Sequence, residues 1–255
     1  MLRIILSGCH GKMGQALQRL IAVKEGLTVV AGVDKQPELP SDFPVYTFLS
    51  EVKEAADVVI DFSHFSAVER LLTDCKAKNL PVVVATTGLD EHLKNCLQEA
   101  SEVIPVFYSA NMSLGINVLI KALQAVTPIL EEDFDIEMIE KHHNQKKDAP
   151  SGTALLLADS INAVCQEKKS YVYDRTPKDE ARATSELGIS VVRGGTIPGE
   201  HIVIYAGEDE ILEFKHTALS RNIFAKGALQ AAVFLAKQPA GQYQMADLVN
   251  ANNLE

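Results

Sequence analysis

The residues from Arg3 to Asp34 restrict the possible folds more than any other stretch of the chain. Arg3 to Ser7 reads as a short apolar strand, Gly8-Cys9-His10-Gly11-Lys12-Met13-Gly14 as a glycine-rich turn, and Gln15 to Val23 as a helix. In that context backbone amides can approach a pyrophosphate, and a helix N-terminus favours its charge. Gly11 and Gly14 fall on the last two glycines of the dinucleotide fingerprint, while Cys9 holds the first position and Gly8 stands one residue earlier. Leu27 to Val33 is apolar and β-branched and ends in Asp34, twenty positions after Gly14, where a carboxylate can bond the adenosine ribose. Lys35 follows and can neutralise a 2'-phosphate. An acid and a base side by side imply NADH and/or NADPH.

The following stretches keep the same rhythm. Pro37 to Ser50 is an irregular connection with one short strand near Val45, and a short helix is expected around Glu51 to Ala55. Val58 to Phe62, Pro81 to Ala85 and Ile104 to Tyr108 read as buried strands, separated by helical patterns over Ser66 to Asn79 and Asp90 to Ser101. Strands and helices alternating at these lengths imply an α/β domain with a Rossmann-like, doubly wound parallel sheet and ligands at the C-terminal strand ends. Asp61-Phe62-Ser63, Thr86-Thr87-Gly88 and Ser109-Ala110-Asn111 fall at such ends. Each alone is ordinary turn chemistry; together they outline a nicotinamide pocket.

The 255 residues suffice for one large or two modest domains. A formal net charge of -10 argues against nucleic acid or an anionic membrane as partner. Cys9, Cys75, Cys96 and Cys165 are far apart and form no metal-ligand pair, so no metal is expected and the thiols read as reduced. Met1-Leu2-Arg3 leads directly into a strand and no apolar run is long enough to span a bilayer, so the expected setting is the cytoplasm.

The second constellation runs from Glu137 to Ala154. Phe134 to Met138 alternates apolar and acidic residues, as a strand that delivers His142 and His143 to its end. Lys146 follows closely, and Asp148-Ala149-Pro150-Ser151-Gly152-Thr153 precedes a helical run from Ala154 to Val164. Pro150 suits a first helical position, and Ser151 or Thr153 can satisfy the free amides there. Two imidazoles and an ammonium group beside a helix N-terminus suit carboxylates, and histidine or a lysine near other cations can also donate a proton.

This stretch, Glu140-Lys141-His142-His143 through Lys146 to Asp148-Ala149-Pro150-Ser151-Gly152-Thr153-Ala154, resembles the hallmark of the 4-hydroxy-tetrahydrodipicolinate (dihydrodipicolinate) reductases. The resemblance extends to the glycine loop, with Lys12 for an arginine, and to Asp61-Phe62-Ser63, Ala85-Thr86-Thr87-Gly88 and Ala110-Asn111-Met112-Ser113-Leu114-Gly115. Ala85 replaces a glycine there, Met112 an aromatic residue, and His64 stands where an arginine is frequent. Arg193 to His201 and the segment from His216 to Ala228 match further parts of the family pattern.

The resemblance implies an NAD(P)H-dependent oxidoreductase of the diaminopimelate branch of lysine biosynthesis, reducing a cyclic dicarboxylate to tetrahydrodipicolinate. It implies His142 and Lys146 as proton donors, with His143, Lys146, Ser151, Gly152 and Thr153 holding the two carboxylates. Cofactor contacts are implied for Gly8, Gly11, Lys12, Met13, Gly14, Asp34, Lys35, Phe62, Ala85, Thr87, Ser109, Met112 and Arg221. The expected division is a dinucleotide-binding domain, residues 1–112 and 221–255, and a smaller α+β domain, residues 113–220, for substrate binding and oligomerisation, with closure uniting cofactor and substrate. Strands at Ile189 to Val192, His201 to Tyr205 and Glu210 to His216, with Phe134 to Glu140, would form its sheet, and the family implies a homotetramer. The polar stretch Glu167 to Glu186 reads as a mobile, solvated excursion, and Asn222 to Lys237 as a helix returning to the first domain. Two other classes fit less well. One is another two-domain dehydrogenase of amino-acid metabolism, which would use a cysteine nucleophile; the other is a non-catalytic NAD(P)H sensor.

Overall fold

The computed structural model describes residues 1–251 and divides into two compact units, Met1–Leu114 with the chain from Arg221 onward, and Gly115–Ser220. In the first unit, β1 (Leu2–Ser7), β2 (Leu27–Val33), β3 (Val45–Tyr46), β4 (Val58–Asp61), β5 (Val82–Val84), β6 (Pro105–Tyr108) and β12 (Gly241–Tyr243) make one sheet. Its order is β12-β6-β5-β4-β1-β2-β3, with every neighbouring pair parallel. The chain reverses its direction of growth at β1, whose neighbours are β2 and β4. That reversal opens a crevice at the C-terminal ends of those strands, where doubly wound sheets bind ligands.

Both faces of this sheet are covered, which is why its central strands are mostly apolar. Alternation along β1 and β4 sends Ile4, Leu6, Val58 and Ile60 to one face and Ile5 and Val59 to the other. Helices α1 (Lys12–Ala22) and α6 (Asn222–Leu235) cover the first face through Leu17, Ile21, Ala228 and Ala232. Helices α2 (Phe65–Lys78) and α3 (Glu91–Ser101) cover the second through Val68, Leu72, Leu93 and Leu97. A 3-10 turn, Leu49–Glu51, stands where a short helix over Glu51 to Ala55 is the sequence expectation. Strand β12 is absent from that expectation altogether; three residues are too few to show a period.

The second unit holds a sheet of order β11-β10-β7-β9-β8. Its strands are β7 (Asp135–His142), β8 (Ser170–Val172), β9 (Glu186–Arg193), β10 (Glu200–Ala206) and β11 (Ile211–Thr217). Strand β10 pairs antiparallel with β7 and β11, whereas β9 runs parallel to β7 and β8. Helices α4 (Leu114–Leu130) and α5 (Gly152–Asn162) pack on the face that carries Ile136, Met138, Ile189, Val203 and Tyr205. Every second residue of β7 is buried, so Ile136, Met138, Glu140 and His142 lie in one row. Apolar at its start and ionisable at its end, that row leads from core to site.

Two local features differ from the sequence expectation. Pro150 lies before helix α5 rather than at its first position: Ser151 is the N-cap and Gly152 the first helical residue, because the Ser151 hydroxyl accepts from the Ala154 amide at 3.1 Å. The stretch 167–186 is anchored, not free. It contains β8, and Arg175, Lys178 and Arg182 make ion pairs with Asp135, Glu137 and Glu186 on β7 and β9. Those carboxylates would otherwise repel one another across neighbouring strands. Among the described residues, no helix is long and apolar enough to cross a membrane. The remaining short helix, α7, is Met245–Ala251.

Gly14 is a position of the first unit with little tolerance. A β-carbon there would run into the carbonyl oxygens of Gly8 and Cys9, which are backbone and cannot swing aside. Gly14→Ala is therefore expected to cost about 1–3 kcal/mol. At about 2–4 °C per kcal/mol, thermal unfolding followed by circular dichroism will show a midpoint several degrees lower. An unchanged midpoint would disprove the close approach of α1 to the glycine loop.

Candidate active site

The nucleotide end of the site is made mostly by backbone. Gly8 has φ +75, and a β-carbon on it would come within 2.8 Å of the Phe62 carbonyl oxygen. Only glycine lets the β1 and β4 loops approach so closely. The Phe62 amide donates to the Ser7 carbonyl at 3.0 Å and the Gly11 amide to that of Gly8 at 3.1 Å, which fixes the turn. Gly11 is the N-cap of α1 and supplies no side-chain cap, so first-turn amides remain available to an anion.

A cavity of about 750 Å³ opens beside this turn, bordered by Gly8, Gly11, Asp34, Lys35 and Phe62. The Asp34 carboxylate accepts from the His10 amide at 3.0 Å and the Gln36 amide at 3.3 Å. The His10 Nε2 atom is buried and has no partner among the described residues, and His10 borders the same cavity. A glycine cradle, uncapped amides, an aspartate at a strand end and an orphaned ring nitrogen fit a dinucleotide.

The other expected cofactor residues stand apart from this cavity's lining. Lys12 and Met13 begin α1, and Gly14 serves the contact between helix and turn. Ala85 and Thr87 follow β5, and Ser109 and Met112 follow β6, which places them at C-terminal strand ends. The Ser109 hydroxyl donates to the Asn111 carbonyl at 3.0 Å, Met112 is buried, and Arg221 is the N-cap of α6.

Three cavity residues escape the sequence reading. His10 and Phe48 lie in irregular segments, and the Arg70 guanidinium carbon sits 3.4 Å above the Phe48 ring centre. Arg70 is inside a helix, where a lone arginine reads as solvated; only the tertiary fold brings it to the cavity. Asp61 stands out in the sequence only as part of the strand-end triplet Asp61-Phe62-Ser63, and its own role comes from the fold. Fully buried, it accepts from the Thr86 hydroxyl at 2.6 Å and the Ser63 amide at 3.2 Å, and so ties the β4 and β5 loops together.

In the second unit, Glu140 organises the constellation. Its carboxylate is completely buried and accepts from both Arg193 amino groups, each at 2.8 Å, and from the Ser151 amide at 2.9 Å. It also meets His142 Nδ1 at 2.7 Å. Burial pushes the Glu140 carboxyl up, but Arg193, His142 and the Ser151 amide outweigh it and hold the group below the ordinary carboxylate range. His142 and Ser151, far apart in their local roles, are thus fixed by one carboxylate. With Nδ1 committed to Glu140, Nε2 is the remaining ring nitrogen of His142, and a β-carbon at Gly199 would lie 3.0 Å from it.

Lys146 pairs with Asp148 at 2.8 Å, and its amide donates to the His143 carbonyl at 3.2 Å. Its three ammonium protons leave donors over for another anion. His143 is half-buried, and Gly152 and Thr153 form the first turn of α5. His201 completes the group: it stands opposite Glu140 on β10, its Nε2 lies 2.9 Å from the Ser151 hydroxyl, and its ring meets His142 edge-on at 5.2 Å. Burial, then the neighbouring His142, pushes His201 down to about 4. A neutral His201 can accept the Ser151 proton, leaving that hydroxyl oxygen to cap α5.

Glu140, Arg193 and His201 are the site residues that sequence reasoning left without a role. A strand-register argument would have found them, since Glu140 and His142 share a face and Arg193 is the register partner of His142.

Comparison with known proteins adds an independent finding. Residues 2–112 match the family described as dihydrodipicolinate reductase, N-terminus, and residues 115–249 match dihydrodipicolinate reductase, C-terminus. The 4-hydroxy-tetrahydrodipicolinate reductase of Caldanaerobacter subterraneus subsp. tengcongensis is 55% identical over 249 residues, covering 98% of both chains. That of Staphylococcus aureus is 45% identical over 247 residues, 97% of this chain and 100% of the relative. Among solved structures, dipicolinate-bound dihydrodipicolinate reductase from Paenisporosarcina sp. TG-14 superposes with a TM-score of 0.81 at 24% identity, over 96% and 97% of the two chains. At that identity the superposition speaks for the fold.

The His201 environment gives a pH prediction. A folded pKa of about 4 lies below the ordinary value of 6.5, so the unfolded chain binds the proton first and stability falls as pH drops between these values. The contribution is about 3 kcal/mol, fully present above pH 6.5. Urea unfolding at pH 7.5 and pH 4.5 will show the loss in the native chain, and His201→Gln will remove most of it. Equal slopes in the two proteins would refute the assignment.

Proposed function

The chain belongs to the dihydrodipicolinate reductase family, and on that basis we propose that it reduces a cyclic, imine-containing dicarboxylate to tetrahydrodipicolinate with NADH or NADPH. The observation that carries this reading is the Glu140-centred cluster, which sets His142, Ser151 and the α5 N-terminus in one place. A dicarboxylate requires two anion subsites and its reduction requires a proton. This cluster offers both.

Reduced nicotinamide, when bound, supplies the hydride. The first unit's contribution is binding: the glycine turn and α1 amides receive the phosphates, and Asp34 bonds the ribose. Lys35 and Arg70 offer positive charge near that end, so a 2'-phosphate is also accommodated. In the second unit, Ser151, Gly152 and Thr153 at the helix end and the side chains of His143 and Lys146 grip the substrate carboxylates. Each charge-assisted contact is worth about 1.5–3 kcal/mol.

Addition of hydride leaves an electron pair on the conjugated ring, and a proton must arrive to meet it. His142 and Lys146 are the donors. His142 can deliver only from Nε2, because Glu140 holds the other nitrogen. Lys146 keeps its ion pair with Asp148 and still has protons to give. One proton balances the hydride, so one of the two side chains gives it, and water restores that side chain after product release.

A cysteine-dependent dehydrogenase is disfavoured by the thiols themselves. Cys9, beside the glycine turn, is buried and pushed up to about 11 by burial and by Asp34, the reverse of an activated nucleophile. The setting is the cytoplasm, and the assembly a homotetramer built on the second sheet. Exposed Val191, Val192 and Ile211 on its strands support that surface.

Two experiments test the reading. Loss of NADPH absorbance should occur only when aspartate semialdehyde, pyruvate and the preceding synthase are supplied. In that assay His142→Ala and Lys146→Ala should each reduce turnover by about 10²- to 10⁴-fold while leaving NADH binding intact. Native-like turnover in either variant removes that residue from the donor role. For the cofactor, Asp34→Ala should raise the KM for NADH more than that for NADPH. Equal effects would overturn the ribose contact.

A further inference from the structure

We propose that Glu69, His92 and Cys96 form a binding site for a divalent transition-metal ion of zinc-like character on the surface of the first unit. His92 and Cys96 are four residues apart on α3 and therefore lie on one face of that helix. Glu69 comes from α2, which lies alongside. His92 Nε2 is 3.3 Å from a Glu69 carboxylate oxygen and 3.8 Å from Cys96 Sγ, and one ligand atom from each residue fits within 4.8 Å of the other two.

Those separations are what a tetrahedral ion imposes. With metal–nitrogen and metal–oxygen bonds near 2.1 Å and a metal–sulfur bond near 2.3 Å, tetrahedral edges are about 3.4 Å for N to O and about 3.6 Å for N to S. An ion pair accounts for the arrangement less well. Both Glu69 and His92 are highly exposed, where such pairs contribute little, and one Nε2 proton cannot serve a carboxylate and a thiol together. A single cation can bind all three.

The donor set selects the ion. Thiolate and imidazole favour zinc, cobalt or nickel over magnesium and calcium, which take oxygen ligands. Binding displaces the Cys96 proton, so a carboxylate and a thiolate balance the two positive charges, and water fills the fourth position. The ion would clamp α2 to α3 on the face of the sheet that these helices cover. None of the three ligands borders the nucleotide cavity. The sequence hides the site because its ligands come from two helices and include only one cysteine.

Co²⁺ is the probe. Titrated into the metal-stripped full chain under reducing conditions, it should give one equivalent of a thiolate-to-cobalt charge-transfer band with strong tetrahedral visible bands, both bleached by Zn²⁺. Cys96→Ser should abolish the charge-transfer band, and His92→Ala and Glu69→Gln should each weaken binding at least about 10-fold. Cys165→Ser should change nothing. All four positions are outside the proposed chemistry, so turnover and far-ultraviolet circular dichroism verify that each variant is folded. A native chain that gives only the weak absorbance of octahedral cobalt, or a charge-transfer band that survives Cys96→Ser, overturns the site.

Discussion

A charge removed from water must be matched where it lies, and the Glu140 carboxylate is matched on every side. Arg193 from β9, His142 from Glu140's own strand β7 and the Ser151 amide just before α5 all converge on it. Removing Arg193 would leave that buried charge without its paired cation, and removing either other partner would leave one of its lone pairs unmatched. That single group therefore fixes the parallel register of β7 with β9, the entry of α5 and the tautomer of His142. The proposed chemistry depends on all three. In that proposal the imidazole gives its proton from Nε2, because the carboxylate behind it holds the other nitrogen.

The first unit solves a different problem with different means. Its task is to bring backbone amides to a large anion, so what matters there is the absence of side chains. Gly8 permits the β1 and β4 loops to touch, Gly14 permits α1 to rest on the turn, and Gly11 leaves the helix start uncapped. In the proposed function, side chains at the rim then add to this, Asp34 toward the ribose and Lys35 and Arg70 with positive charge. An excess of negative charge over the whole chain is compatible with the proposed anion binding because the two candidate sites are local, one made of amides and one of imidazole and ammonium side chains beside a helix end.

The parts of this architecture legible in the sequence are those with a period or a turn chemistry. Glycines after β1, an aspartate after β2 and β-branched runs between helices follow from local rules, as does the hairpin of β10 and β11. His142, Lys146 and Ser151 stand out because unlike residue types crowd into a short stretch. What stayed hidden depends on distance along the chain. Glu140 reads as a solvated acid on a strand until Arg193, 53 positions later, is known to lie beside it. Arg70 needs Phe48 to become part of a cavity, and β8 and β12, three residues each, carry too little pattern to register. The anchoring of Arg175 and Arg182 is of the same kind, since loop cations become structural only when strand acids are placed beneath them.

The interruption of the nucleotide fold by the whole of residues 115–220 has a consequence for how the chain emerges from the ribosome. By the time Leu114 is made, six of the seven sheet strands exist, yet one face lacks α6, whose Ala225, Ala228, Leu229 and Ala232 complete its core. At about 5–20 residues per second, roughly ten seconds pass before that cover is synthesised. During that interval Leu6, Ile60 and Phe107 have only α1 to shield them, and at its end the inserted unit holds all its own strands and helices before α6 is made. Vectorial synthesis thus favours completion of the insert ahead of its host, and makes the half-covered sheet the point at which nascent chains would engage a chaperone.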